Sequence, residues 1–278
     1  MKTYNKTAFQ ISRLIIQNYS TSFSMATSFF DKETGEAIAS IYGFVRFADE
    51  IVDTFHDYDK KYLLEKLESD YYDAVKQGIS LNPVLQSFLK TTATYKIADE
   101  HIQAFLTSMK NDLIKNHYDN KNDSDHYIFG SAEVVGLMCL KVFCNGDERL
   151  YNELEKPAMK LGSAFQKVNF LRDLKRDVEE LNRNYFPEIN QNTFDEETKL
   201  MVITDIETDF KTALPGLKKL PGRSKLAVLV AWLYYNNLLK KIKRIPATQI
   251  IQSRIRISNA RKICLLLKAM ILYKFRFI

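Results

Sequence analysis

Glycine and proline are scarce here, nine and six among 278 residues, too few for the many turns of a sheet protein. Period-two alternation of apolar and polar residues is nearly absent, which argues against half-buried strands. Three cysteines, Cys139, Cys144 and Cys264, are odd in number and lack CxxC spacing. That pattern excludes a thiolate metal site and points to a reduced, cytoplasmic setting. The start, MKTYNKTAFQISRLIIQ, lacks the apolar core of a signal peptide. The late apolar run Ile263–Tyr273 is interrupted by Lys268 and is shorter than the roughly 20 residues that span a bilayer. No glycine-rich phosphate loop, nucleotide fingerprint or Ser/His/Asp set is visible, so neither NADPH use nor ordinary acyl or nucleotide phosphoryl transfer is expected. Acidic residues also run out: none follows Asp209. Residues 210–278 carry sixteen Lys and Arg, a net +16 against −10 for the first 209, together the chain's +6. No nucleic-acid motif accompanies this basic segment, and no nucleic-acid partner is expected.

Apolar residues make up 46% of the chain, enough for a large core, and they recur at three- and four-residue spacing. The periodicity predicts helices at Tyr4–Gln17, Glu33–Asp53, Lys60–Lys76, Asn82–Thr94, Asp99–Asn116, Asp125–Cys144, Glu148–Leu181, Asp195–Ala213, Arg223–Lys243 and Ser253–Tyr273. Asp99 reads as a helix start, and Pro157 should kink or split the helix drawn from Glu148. His117–Asp125 and Asn182–Phe194 read as loops. Residues 1–278 are read as one all-α domain, since so many apolar helices need one another as partners.

Two rows of acidic side chains give this helical chain its chemistry. In SIYGFVRFADEIVDTFHD, Tyr42, Arg46, Asp49 and Asp53 share one helix face. In GSAFQKVNFLRDLKRDVEE, Gln166, Asn169, Asp173 and Asp177 share another, flanked by Arg172 and Arg176. One such pair alone is an ordinary solvated face, with Arg46 paired to Asp49 or Asp53 and contributing little. Two rows, one including Gln and Asn, suit a hard divalent cation better than they suit solubility. Magnesium, with manganese as the alternative, takes oxygen ligands and bridges carboxylates to substrate phosphate oxygens. Facing rows therefore predict a diphosphate made into a good leaving group. An allylic substrate would leave a carbocation, which needs a dry, aromatic pocket; 18 Phe and 15 Tyr can supply one. His56, His101, His117 and His126 read as surface residues, and Trp232 as core.

At these residues the sequence resembles the squalene/phytoene synthase family, the head-to-head prenyl synthases of the all-α isoprenoid synthase fold. The resemblance runs from about Tyr19 to Lys262, through YSTSFSMA, IYGFVRFADEIVD, FGSAEVVGLM, GSAFQKVNFLRDLKRDVEE, NRNYFP and AWLYYNNLLKKIKR. It implies a helical bundle with a central cavity. It also implies Mg²⁺ ligation by Asp49, Asp53, Asn169, Asp173 and Asp177. Prenyl diphosphate contacts would come from Tyr19, Ser20, Thr21, Ser22, Tyr42, Arg46, Gln166, Arg172 and Tyr234. The expected reaction joins two geranylgeranyl diphosphates into phytoene through a cyclopropyl diphosphate, a step toward carotenoids. Squalene or dehydrosqualene synthesis from farnesyl diphosphate, or a non-catalytic helical scaffold, are the alternatives.

The chain departs from the family's pattern in places. Thr21 stands where a basic residue is usual, and Tyr19 where His is frequent. Phe129 replaces a tyrosine and Glu133 a small glycine near the cavity, which bears on the second half-reaction. Arg256, Arg261 and Lys262 are expected to complete the diphosphate site. Lys240, Lys241, Lys243, Arg244, Lys274 and Arg276 are expected to form a basic surface that docks on an anionic membrane face, the inner one for a cytoplasmic enzyme.

Overall fold

The computed structural model describes residues 1–189 and 194–275. Among these, regular structure is helical, apart from one isolated parallel bridge between His117 and Asn184. The elements are α1 (Lys2–Tyr19), α2 (Thr21–Thr27), α3 (Lys32–Thr54), α4 (Lys60–Gln77), α5 (Pro83–Tyr95), α6 (Asp99–Asn111) and α7 (Lys121–Ile128). A π-helical turn (Phe129–Glu133) leads into α8 (Val134–Cys144), followed by α9 (Glu148–Glu179), α10 (Glu196–Lys219), α11 (Gly222–Arg244), α12 (Ala247–Ile250) and α13 (Asn259–Lys274). Side-chain caps explain several starts. Asp31 accepts from the Thr34 amide at 2.9 Å, and Asp147 from the Leu150 amide at 2.9 Å, each satisfying a donor the helix leaves unpaired.

Two apolar clusters enclose the centre. One gathers α3, α4, α5, α6 and α8 around Phe44, whose ring stacks on Phe88 at 4.1 Å. The other gathers α9, α10 and α11 with Tyr127 and Tyr185, where Phe170 stacks on Tyr185 at 4.1 Å. Between them lies a cavity of about 570 Å³, walled by α2, α3, α8, α9, α10 and α11. This is the bundle with a central cavity that the resemblance implied.

Several expected boundaries are corrected. Pro157 does not split its helix: α9 runs from Glu148 to Glu179 with Pro157 inside it. The proline ring is packed against α10, so closely that a Cβ on Gly216 would stand 2.2 Å from Pro157 Cβ. Tertiary packing here overrides the local breaking tendency. The short α2 was not foreseen; Ser20 Oγ caps it by accepting from the Phe23 amide at 3.2 Å. Ala98, not Asp99, occupies the N-cap of α6, and Asp99 lies in its first turn. The expected Asp125–Cys144 helix starts earlier, at Lys121, and contains the π turn. By length and composition Lys121–Cys144 would suffice to cross a membrane, but 56% of its most apolar window is buried in this fold. Arg276 lies outside the described residues.

Close helix approach shapes the cavity wall. At Gly162 an added Cβ would lie 2.6 Å from the Ala132 carbonyl oxygen of the π turn. Backbone cannot yield as a side chain can. Gly162→Ala is therefore expected to cost about 1–3 kcal/mol, a drop of roughly 2–4 °C in Tm for each kcal/mol, measurable by calorimetry.

Candidate active site

Both acidic rows line the cavity. From α3 come Tyr42, Arg46, Asp49 and Asp53; from α9 come Gln166, Asn169, Arg172, Asp173, Arg176 and Asp177. The helical spacing explains this, because residues three and four apart stack along one face. Aromatic side chains continue the wall. Phe23 stacks on Tyr42 at 5.0 Å, and Phe165 on Tyr235 at 4.1 Å.

The carboxylates are not left bare. Arg183 donates to Asp53 Oδ1 at 2.8 Å, and Arg172 Nε donates to Asp173 Oδ1 at 3.1 Å. Arg254, in the segment between α12 and α13, adds a second ion pair, its Nε 2.7 Å from Asp173 Oδ1. Arg46 pairs with Glu50, not with Asp49 or Asp53 as an ordinary solvated face would have it, and its guanidinium lies 4.5 Å from the centre of the Tyr19 ring. Among the described residues no three carboxylate, imidazole or thiolate groups stand together as a ready ion site.

The donor set nonetheless fits a divalent cation. Asn169 Oδ1 is buried with no hydrogen-bond partner. Burial first, then the charge of Asp53, pushes the Asp49 carboxyl up to about 7; burial and then Asp173 do the same to Asp177. Desolvated like charges and an orphaned amide oxygen are what a hard, oxygen-ligated cation relieves.

Not every expected contact lines the cavity. Tyr19 and Ser20 do, whereas Thr21 and Ser22 do not. Thr21 Oγ1 accepts from Lys262 Nζ at 3.1 Å, so α13 brings an ammonium to the place where a basic residue was expected. Tyr234 also stands outside the wall, edge-on to its neighbour Tyr235, which is the lining residue. Phe129 is 37% exposed and away from the cavity; the hydroxyl at the wall belongs to Tyr127, before the π turn. Glu133 is buried but does not line the cavity; its carboxylate lies 3.6 Å from Lys160. A π turn holds an extra residue, which shifts the helical phase that sequence spacing assumes. Of the late basic residues, Arg254 lines the cavity, while Arg261 Nε donates to Asn237 Oδ1 at 3.2 Å and Lys241 to the Arg256 carbonyl at 2.6 Å. Three histidines are exposed, but His101 is half-buried against the Tyr151 hydroxyl at 3.2 Å. Trp232 packs in the core, edge-on to Phe210.

Asp112 and Arg183 were missed altogether. Tyr127 donates to Asp112 Oδ2 at 2.6 Å, the other Asp112 oxygen is buried without a partner, and Arg183 donates to the Asp112 carbonyl at 3.0 Å. Asp112 belongs to neither row, so no spacing rule marks it. Arg183 lies in NRNYFP, which the resemblance covered without assigning it a role.

A model of the family described as squalene/phytoene synthase matches residues 16–261. The chain belongs to the squalene/phytoene synthase family. It is a prenyltransferase, and the family's reaction is head-to-head condensation of prenyl diphosphates. A 15-cis-phytoene synthase of Enterobacter agglomerans is 23% identical over 273 residues, 90% of each chain. A presqualene diphosphate synthase of Sinorhizobium fredii is 32% identical over 155 residues, 55% of this chain and 53% of the relative. Among solved structures, a dehydrosqualene synthase with bound ligand superposes with TM-score 0.84 at 21% identity, over 97% of this chain and 98% of its own. A squalene synthase from Alicyclobacillus acidocaldarius gives TM-score 0.75 at 20% identity, over 86% and 94%.

The buried acids of this synthase give its metal-free form a defined pH response. Burial, opposed by Arg183 and the Tyr127 hydrogen bond, raises the Asp112 carboxyl to about 7. The unfolded chain releases that proton near its ordinary value of about 3.9. Between those values the native state holds the extra proton, so stability falls as pH rises from about 4 to about 7. Asp49 and Asp177 act in the same direction. Asp112→Asn is expected to flatten this fall in melts recorded with a chelator; an unchanged slope would show that Asp112 takes no part in it.

Proposed function

We propose that this enzyme condenses two C20 geranylgeranyl diphosphates into phytoene, by way of a cyclopropyl diphosphate. The observation that carries the reading is a single cavity with opposite ends. Carboxylates and arginines line one part of it; the rest is apolar and bordered by small residues such as Ala132, Gly136, Ala158, Gly162, Ala213 and Gly216. A wall of small side chains leaves room for long hydrocarbon chains, while the charged part suits their diphosphates.

When bound, magnesium, or manganese in its place, would neutralise diphosphate charge, with Asp49, Asp53, Asn169, Asp173 and Asp177 as its protein ligands. The chain's own residues supply the rest. Arg46, Arg172, Arg176 and Arg254 line the same part of the cavity and offer donors matched to phosphate oxygens. Faces of Phe23, Tyr42, Phe165 and Tyr235 border the apolar space where an allylic cation would form, and aromatic faces attract cations. Exclusion of water keeps that cation from being quenched as an alcohol. The likeness to a dehydrosqualene synthase favours, as a second reading, the same reaction on C15 chains.

Incubation with labelled C15 and C20 diphosphates and Mg²⁺, followed by product chromatography, tests the proposal. Phytoene from the C20 substrate is expected; turnover of C15 alone would move the assignment to squalene-type products, and no turnover of either would overturn it. Asp49→Asn should lower turnover by at least about a thousandfold, the order lost when charge stabilisation of a transition state is removed. Its metal-free melting temperature should be equal or higher, because a buried, crowded charge is gone.

A further inference from the structure

The outward face of α13 is apolar, and among the described residues nothing covers it. Leu265 and Ala269 are buried, packing with Leu229, Val230 and Leu233 of α11. On the opposite side Ile263, Leu267, Met270 and Ile271 are 56%, 53%, 45% and 54% exposed. These four fall at i, i+4, i+7 and i+8, a continuous stripe along the helix. Arg261 and Lys268 border the stripe and Lys274 closes its end, all three exposed. Large exposed apolar stripes with charged rims mark contact surfaces.

Charge selects the occupant. The 69 residues after Asp209 contain no acidic side chain, so a second copy would set like charge against like. Some basic groups are already engaged, since Lys243 reaches Glu207 at 2.8 Å and Lys241 the Arg256 carbonyl. Among the described residues the Lys268 ammonium has no hydrogen-bond or ion-pair partner. Position adds to the case: at the start of α13, Lys262 donates to Thr21, next to Tyr19 and Ser20 of the cavity wall. The stripe therefore begins beside the cavity's charged part.

We propose that α13 rests on an anionic lipid bilayer, with Ile263, Leu267, Met270 and Ile271 entering the headgroup boundary and Arg261, Lys268 and Lys274 facing the lipid phosphates. A helix with one apolar face and basic borders lies in the interface plane in this way and does not span it. Bound so, the enzyme would sit where long-chain diphosphates and hydrocarbon products dissolve.

The test is co-sedimentation of the full chain with phosphatidylcholine vesicles, with and without phosphatidylglycerol, at low and high salt and without substrate. Binding should be about tenfold stronger to the anionic vesicles and should weaken with salt. The double variant Leu267→Glu/Ile271→Glu should lose binding while keeping its thermal melt and its turnover of detergent-dispersed substrate. Should that variant fail to fold, Lys268→Glu decides: it keeps the apolar stripe and should reduce the anionic preference. Equal binding to both vesicle types, or unchanged binding by the variants, would overturn the proposal. So would a lipid-free dimer that Leu267→Glu converts to monomer, which would give this face to a second copy, or an acidic protein that displaces the enzyme from vesicles. Because no turnover is read in sedimentation, failure here leaves the assignment of the reaction untouched.

Discussion

Negative charge gathered in a low-dielectric cavity is the constraint on which this structure turns. Asp49, Asp53, Asp173 and Asp177 approach from two helices; beyond burial, Asp53 adds to the cost of ionising Asp49, and Asp173 and Asp53 to that of ionising Asp177. An interior of this kind exists only with counter-charges to hand. Arg183 answers Asp53, and Arg172 and Arg254 answer Asp173. Arg172 and Arg254 also line the cavity, whereas Arg183 stays buried behind it. Under the proposed function, Arg172 and Arg254 would serve both internal neutralisation and diphosphate binding.

The scaffold serves that arrangement. Long helices α3 and α9 place residues of one face at regular height, and two apolar clusters pack behind them. Glycines let α9 approach the π turn and α10 at distances no side chain would permit. Close packing on the outside leaves the cavity as the space that remains between rigid walls.

Much of this was legible in the sequence. Periodicity alone showed an all-α chain, and the spacing of Asp49/Asp53 and of Asn169/Asp173/Asp177 placed each row on one face. The errors have physical causes. The resemblance pointed to Tyr234, whereas Tyr235 lines the cavity; one residue turns a helix face by about 100°, and only packing shows which neighbour points inward. Phe129 and Glu133 were placed near the cavity by the family's pattern, but neither lines it, and a π turn spans these residues. Pro157 was expected to kink or split its helix, and the split does not occur: α9 continues through it, with the ring packed against α10. Arg254 and Asp112 reach the site from outside both rows, by contacts far apart in sequence that no local pattern records.

The ion pair between Arg254 and Asp173 has a thermodynamic consequence. A cation that takes Asp173 as a ligand competes with Arg254 for the same oxygen atoms. By linkage, whatever holds the 251–258 segment against Asp173 weakens the cation, and a bound cation loosens that segment to the same degree. Only five positions separate Arg254 from the first residue of α13. If Asp173 ligates a cation as proposed, the free energy of that binding is shared with the segment at the rim, and the two equilibria cannot be set independently.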